Sequence, residues 1–458
     1  MLSTDIRVLE AEPHFSWEAA RTPLKFGGVV MDTALYCHVR VLVENRRGDR
    51  AEGWGAIFLA DLWAWPHIRG GHKTAEALMR ELAIEWCSRA ALTDEFLHPV
   101  DLFHHREPQL MPAAADVCRS AGVEETMPRM AALISISPFD AAVHDAFGNV
   151  NRICTYAGYG PEFMSSDLSA WLGPTFAGRF IADYLQPLKP RVDAFHLVGG
   201  LDPLTAADLS TSRPPDNLPV TLEEWIEFER LHCLKVKLQG TDIDWDLHRL
   251  CEVVDITQQQ HARLNIPEMW FTADPNEMCE SPEYVVELLL RFWERCPRGY
   301  ESLLYVEQPC ERDLNRRRLD MRPIAELKPV IVDEALGSME DLQLALELGY
   351  SGAALKSCKC QSEQLVMAAW LTEHGLPLAV QDLGNPGIAL LHSAGLAGRL
   401  NTIRGVESNS RQFYPATNEP EQKVHPGAYR LTDGCIATDT LRGTGLGYRW
   451  DEIGRILS

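Results

Sequence analysis

From about residue 192 the chain repeats one rhythm: a short apolar run, a polar loop, then an amphipathic stretch. Eight apolar runs read as strands, at 194–198, 232–237, 270–274, 303–307, 330–333, 353–356, 378–382 and 403–407. The stretches between them carry helix signals. Ser281-Pro282-Glu283 supplies an N-cap, a proline at the first helical position and an early acid, and Val285, Leu288, Leu289 and Phe292 then form one apolar stripe. Ser338 with Asp341 three residues on starts another helix, which Gly349 ends; the helix at 362–374 is closed by Gly375. Eight strands alternating with helices predict a parallel sheet, and closure into a barrel is the common use of eight.

The first 150 residues follow a different pattern. The runs 35–43 and 53–58 flank a polar turn containing Gly48 and predict a hairpin. Ala77, Met79, Leu82, Trp86 and Ala90 recur near a 3.6-residue period and predict a helix over 73–91. A second helix is expected over 130–149, with Asp140 and Asp145 inside it; Pro138 leaves open its start or a kink. Two polar stretches fit no element. One, at 202–221, reads as an insertion between the first strand and its helix; the other, at 408–426, follows the last strand.

Composition narrows the class. With 458 residues, two domains or more are expected. A net charge of −22 argues against a nucleic-acid partner, because no basic excess is available to displace counterions. No run of about 18 apolar residues occurs, so no membrane span is expected. Residues 1–15 carry Asp5, Glu10 and Glu12 and no apolar core of signal-peptide length. The twelve cysteines form no CxxC, only the CxC of Cys358 and Cys360, which predicts free thiols in a reducing cytoplasm. His104-His105 is expected to be exposed rather than a metal site.

Charged residues end the apolar runs in a series: Lys237, Asp274, Glu307, Asp333 and Lys356, separated by 37, 33, 26 and 23 residues. Each interval suits one strand-helix unit, and in such a barrel the strand C-termini share one face. Three converging carboxylates repel unless a cation neutralises them, and an all-oxygen set suits Mg²⁺. Two amines flanking that arc could take a proton from one face of a substrate and return it to the other. The residues alone leave open the choice between Asp333 and Glu334, and between Lys356 and Lys359.

The motifs Lys235-Val236-Lys237, Asp274-Pro275-Asn276-Glu277, Glu307-Gln308-Pro309, Asp333-Glu334-Ala335 and Leu355-Lys356-Ser357-Cys358-Lys359 resemble those of the enolase superfamily, in its mandelate racemase and muconate-lactonizing enzyme group. Thr22-Pro23-Leu24-Lys25-Phe26-Gly27, Phe139-Asp140-Ala141-Ala142-Val143-His144-Asp145 and Gly443-Thr444-Gly445-Leu446-Gly447 extend the resemblance over nearly the whole chain. It implies a modified (β/α)₇β TIM barrel at 151–410, an N-terminal α+β capping domain at 1–150 and a C-terminal segment, 411–458, completing the cap. It implies one Mg²⁺ on Asp274, Glu307 and Asp333, acid/base roles for Lys237 and Lys356, and a supporting role for Lys235. Asn276, Glu334, Asp382 and Glu407 would stand near the substrate. Lys25, Phe26, Trp63 and Trp65 could line the pocket from the cap, although packing between domains is an equal reading for the tryptophans.

The seventh strand ends Gln381-Asp382 without a histidine, and His374 and His392 fall in helical stretches. A lysine pair therefore places the resemblance in the muconate-lactonizing branch. The implied activity is proton abstraction α to a carboxylate through an enediolate, as a racemase, epimerase or cycloisomerase acting on a small carboxylate; that Mg²⁺-enediolate scheme is the family's general one. The alternative is an acid-sugar dehydratase. A Schiff-base aldolase and a non-catalytic binding protein are more distant. A homo-oligomer, from dimer to octamer, is expected. Two departures concern the barrel mouth: Cys360-Gln361-Ser362 stands where the family places glycines, and both polar stretches are long.

Overall fold

The computed structural model describes residues 2–26, 29–90, 94–209 and 213–457. Strands β1 (Ile6–Phe26), β2 (Val29–Asn45) and β3 (Arg50–Phe58) form an antiparallel sheet in the order β1-β2-β3. The expected hairpin is β2–β3, in register from Tyr36↔Phe58 to Glu44↔Arg50. Strand β1 was not expected: past Val8 its sequence, with Glu10, Glu12, Pro13 and Glu18, has no apolar alternation. Its pairing with β2 supplies what its own pattern lacks, and Pro13 is tolerated because β1 is an edge strand.

The helix Arg129–Asn151 packs across this sheet and is almost wholly buried. It runs unbroken through Pro138. Proline removes one backbone donor, and the Ser137 hydroxyl donates to the Ile134 carbonyl (3.0 Å) that this donor would have reached. Gly53 and Gly55 of β3 allow the close approach: a Cβ at Gly55 would lie 2.1 Å from the Pro138 carbonyl oxygen. The predicted helix at 73–91 is His72–Ala90 among the described residues.

All eight predicted barrel strands are present: β4 (Arg191–Val198), β5 (Cys233–Lys237), β6 (Trp270–Asp274), β7 (Leu303–Glu307), β8 (Val330–Val332), β9 (Gly352–Lys356), β10 (Leu378–Gln381) and β11 (Val406–Glu407). They pair in parallel in chain order, and β11 pairs with β4 to close the barrel. Helices follow the first seven strands, so the fold is an α/β modified TIM barrel with an N-terminal α+β domain. The helix signals hold: Pro282–Arg295, Met339–Glu347 with the Ser338 hydroxyl accepting from the Asp341 N–H (3.2 Å), and Gln361–Glu373 followed by Gly375.

The stretch 202–221 does lie between β4 and its helix, Leu222–Glu229. Arg21 of β1 clasps it, donating to Leu218 O (2.9 Å) and Pro219 O (3.1 Å) and pairing with Asp216. The tail is bound on two sides. Strand β12 (Cys435–Ala437) pairs antiparallel with the start of β4, while Trp450 stacks on Trp54 of β3 (centroids 4.1 Å apart) and Leu446 N–H donates to Asp145 (2.7 Å). The segment thus touches both the barrel and the N-terminal domain. His104 is half-buried against Trp171, not exposed as expected, while His105 is exposed. Among the described residues, no helix is long and apolar enough to cross a membrane.

Candidate active site

Lys237, Asp274, Glu307 and Lys356 are the last residues of β5, β6, β7 and β9, and Asp333 directly follows β8. The predicted series therefore converges on one end of the barrel. Strands β6, β7 and β8 are neighbours, so the three acids form one arc. Strands β5 and β9 are the second and sixth of eight, which places Lys237 and Lys356 across the barrel from each other.

The ammonium groups and carboxylates interlock. Lys235 lies 2.8 Å from Glu307, 3.0 Å from Asp274 and 3.0 Å from Glu407. Lys237 donates to the same Asp274 oxygen, Oδ2, that Lys235 faces. Lys356 donates to Asp333 Oδ2 (2.6 Å), and Lys359 to Asp333 Oδ1 (3.0 Å) and to its carbonyl (2.7 Å). The side chains that spacing could not tell apart are placed differently here. Lys356 lines a cavity, whereas Lys359 is fully buried. Asp333 takes both lysines, while Glu334 turns to the Trp63 indole (3.1 Å) and Asn276 (3.3 Å).

Three residues not singled out beforehand hold this set in place. Gln381 donates to Glu307 Oε2 (2.5 Å). Asn409 donates to Glu407 (2.6 Å) and Asp382 (3.2 Å). The Gln308 side chain accepts from the N–H groups of Asp333 (3.0 Å) and Ala335 (3.3 Å), which fixes the turn after β8. Gln381 carried a signal, since it alternates into the barrel next to Lys356 in register; Asn409 lies in a loop without one.

Burial works against ionised Asp274 and Asp333, but Lys237 and Lys235 beside the first, and Lys356 and Lys359 beside the second, hold both below the usual carboxylate range. Burial and then the neighbouring Asp274 push Glu307 up. Burial and Asp333 push Glu334 up to about 7, and burial and Glu407 do the same to Asp382. Lys235 is held well above its ordinary value: burial opposes its charge, and Glu307, Glu407 and Asp274 prevail. Lys356 shifts upward in the same way through Asp333.

Six buried carboxyl groups (Asp274, Glu307, Asp333, Glu334, Asp382 and Glu407) meet four buried ammonium groups (Lys235, Lys237, Lys356 and Lys359), so ionising all six would leave two negative charges unpaired, and Glu307, Glu334 and Asp382 are pushed up accordingly. A divalent cation would balance the two charges that full ionisation leaves, and the all-oxygen donors Asp274, Glu307 and Asp333 suit Mg²⁺.

A cavity opens above this floor. Lys235, Lys237, Lys356, Asn276, Asp382, Glu407 and Asn409 line it from the barrel; Leu24, Met31, Leu62 and Trp63 line it from the N-terminal domain. The Trp63 ring lies 4.6 Å from the Lys356 ammonium, so Trp63 faces the pocket, whereas Trp65 is buried elsewhere. Lys25 and Phe26 have side chains outside the described residues; their neighbour Leu24 reaches the cavity.

Among solved structures, an enolase from Bradyrhizobium complexed with magnesium and mandelic acid is 15% identical, with 99% of each chain covered and a TM-score of 0.59. The 2-chloromuconate cycloisomerase from Rhodococcus opacus 1CP is 16% identical over 96% of each chain, with a TM-score of 0.58. The L-Ala-D/L-Glu epimerase from Bacillus subtilis is 14% identical, covering 89% of this chain and 90% of that one, with a TM-score of 0.56. These likenesses are of fold. No curated protein matches the sequence. The family model described as enolase C-terminal domain-like matches residues 220–453, more than half of the chain. The chain belongs to the enolase superfamily, in its mandelate racemase and muconate-lactonizing enzyme group.

Proposed function

We propose that the protein is a Mg²⁺-dependent isomerase that removes and returns a proton α to the carboxylate of a small acid, as a racemase, epimerase or cycloisomerase. The observation that carries this reading is the placement of Lys237 and Lys356 on opposite strands, with the arc of Asp274, Glu307 and Asp333 between them. Solved enzymes of the same fold include a cycloisomerase and an epimerase, and one holds magnesium with mandelic acid.

Asp274, Glu307 and Asp333 would hold the ion, which when bound would anchor the substrate carboxylate and offset the charge that builds as the α-proton leaves. Lys237 takes that proton at Cα from one face. Lys356, held charged beside Asp333, delivers a proton from the other face. Lys235, pinned by three carboxylates, stays charged and acts on Lys237 through the Asp274 oxygen they share. Trp63 and Leu24 roof the cavity and exclude water from the developing carbanion.

Dipeptides, N-acylamino acids, muconate-type diacids and acid sugars incubated with Mg²⁺ in D₂O test this. Deuterium at the α-carbon without elimination is expected; a 2-keto product would show dehydration instead. Lys237→Ala should lower kcat by about 10²–10⁴-fold. Full activity in that variant would overturn the mechanism.

A further inference from the structure

The roof of the pocket is held from outside the cavity. Trp63 sits in the four-residue helix Asp61–Ala64, which follows Ala60 in a left-handed conformation (φ 35°). So short a helix leaves its last carbonyls without intrahelical partners. Arg312, in the loop after β7, supplies one: its guanidinium donates to the Trp63 carbonyl oxygen (2.9 Å). The same guanidinium lies 6.0 Å from the centre of the Trp63 ring. Its Nε and Nη2 donate to Glu277, in the loop after β6, and the Arg312 backbone N–H donates to that carboxylate too (2.9 Å). With Glu334 on the indole N–H and the Lys356 ammonium against the ring, one residue of the N-terminal domain is gripped from the ends of β7, β8 and β9.

Glu277 is placed at a conformational cost. Asn276 (φ 47°), Glu277 (φ 60°) and Gln308 (φ 25°) all have left-handed backbones, which among these three only asparagine adopts readily. The Glu277 N–H donates to the Gln308 carbonyl (2.8 Å), so the two loops hold each other in this form. Such a backbone persists where its surroundings over-determine it, and it gathers at ligand clamps. Here it sends successive side chains to different places, Asn276 to the cavity and Glu277 to Arg312. An exposed ion pair contributes little by itself, but this one is half-buried and its arginine is fixed at both ends.

We propose that Arg312 and Glu277, neither of which lines the cavity, are positioning residues that latch Trp63 over the pocket on its Lys356 side and so limit the size of the group an acid can carry there. The proposal rests on the reading of the barrel mouth as the substrate site. With the latch released, the indole keeps its bond to Glu334 but loses the anchor on its own backbone. The wall then yields, ordinary substrates fit more loosely and bulkier ones enter.

Full-length protein labelled with 5-fluorotryptophan, with Mg²⁺ present, reports the latch directly, and Trp63→Phe identifies the ¹⁹F resonance of Trp63. In Arg312→Gln and in Glu277→Gln this resonance should move and gain the H₂O/D₂O shift of an exposed ring. The double variant should match either single one, because the two residues act as a unit. With the acid that the wild type accepts, both variants should raise KM about tenfold while kcat stays within about threefold, and the relative rate for bulkier acids should rise. Two variants keep the test open should one fail to fold. A Trp63 resonance unchanged in the variants, effects that add in the double variant, or a fall in kcat at constant KM would each overturn the proposal. The resonance needs no substrate, so it decides the latch even where no acid is turned over, a result that counts against the proposed reaction alone.

Discussion

At the barrel mouth, Asp274, Glu307 and Asp333 face ammonium groups; in the helix Arg129–Asn151, Asp140 and Asp145 are as deeply buried but face neutral donors. Asp140 accepts from the Ser362 hydroxyl (2.8 Å) and N–H (3.0 Å), capping the helix Gln361–Glu373 from outside. Asp145 accepts from the N–H groups of Leu446 (2.7 Å) and Trp54 (3.1 Å) and from Asn149 (3.2 Å). Between them, His144 joins Ser362 and Tyr159. Burial pushes Asp140 up to about 6 and Asp145 to about 7. Neutral donors satisfy a carboxyl's hydrogen bonds without supplying charge, so these acids join domains and have no charge surplus to offer a ligand. The mouth holds more carboxyls than ammonium groups, and a bound cation would let all of them ionise.

The contrast breaks most visibly if the mouth is stripped of its cation. Chelation by EDTA should abolish α-proton exchange, added Mg²⁺ should restore it, and activity assays check both. The loss should match or exceed the 10²–10⁴-fold drop expected for Lys237→Ala. Next in size is Lys359→Met. It removes a buried partner from Asp333 and should cost about 3–5 kcal/mol of stability, read from urea unfolding. At the seam, Asp140→Ala leaves the Ser362 N–H and hydroxyl unpaired. It should cost about 1–3 kcal/mol in the same measurement while kcat barely changes.

The most gradual effect is a slope. Asp145 holds its proton in the folded state to about pH 7, whereas an ordinary aspartate loses it near 3.8. The folded chain then binds more protons than the unfolded one between roughly pH 4 and 7, so stability falls as pH rises through that window, by up to about 1.4 kcal/mol per unit for one group. Thermal unfolding of Asp145→Asn across this range should show a flatter profile.

The barrel was legible because each strand's apolar run and each helix's caps are local signals. Seven strand-helix units in series dictate a parallel sheet, and a charge at the end of each run projects to one face whatever the loops do. The resemblance carried by Lys235 to Lys359 therefore agreed with the residue spacing. Strand β1 was not legible, because its partner in β2, not its own alternation, makes it a strand. Nor could spacing choose between Asp333 and Glu334 or between Lys356 and Lys359. Each pair differs by one to three residues, and only the turn fixed by Gln308 and the burial of Lys359 decide which acid meets the lysines and which lysine meets the cavity. Trp63 and Asn409 reach the cavity from chain segments far apart in sequence. The order of chemistry around the barrel was thus written locally along the chain, whereas the roof of the pocket and the hydrogen bonds that Asn409 makes to Glu407 and Asp382 came from tertiary packing, because contact between distant residues depends on closure of the whole fold.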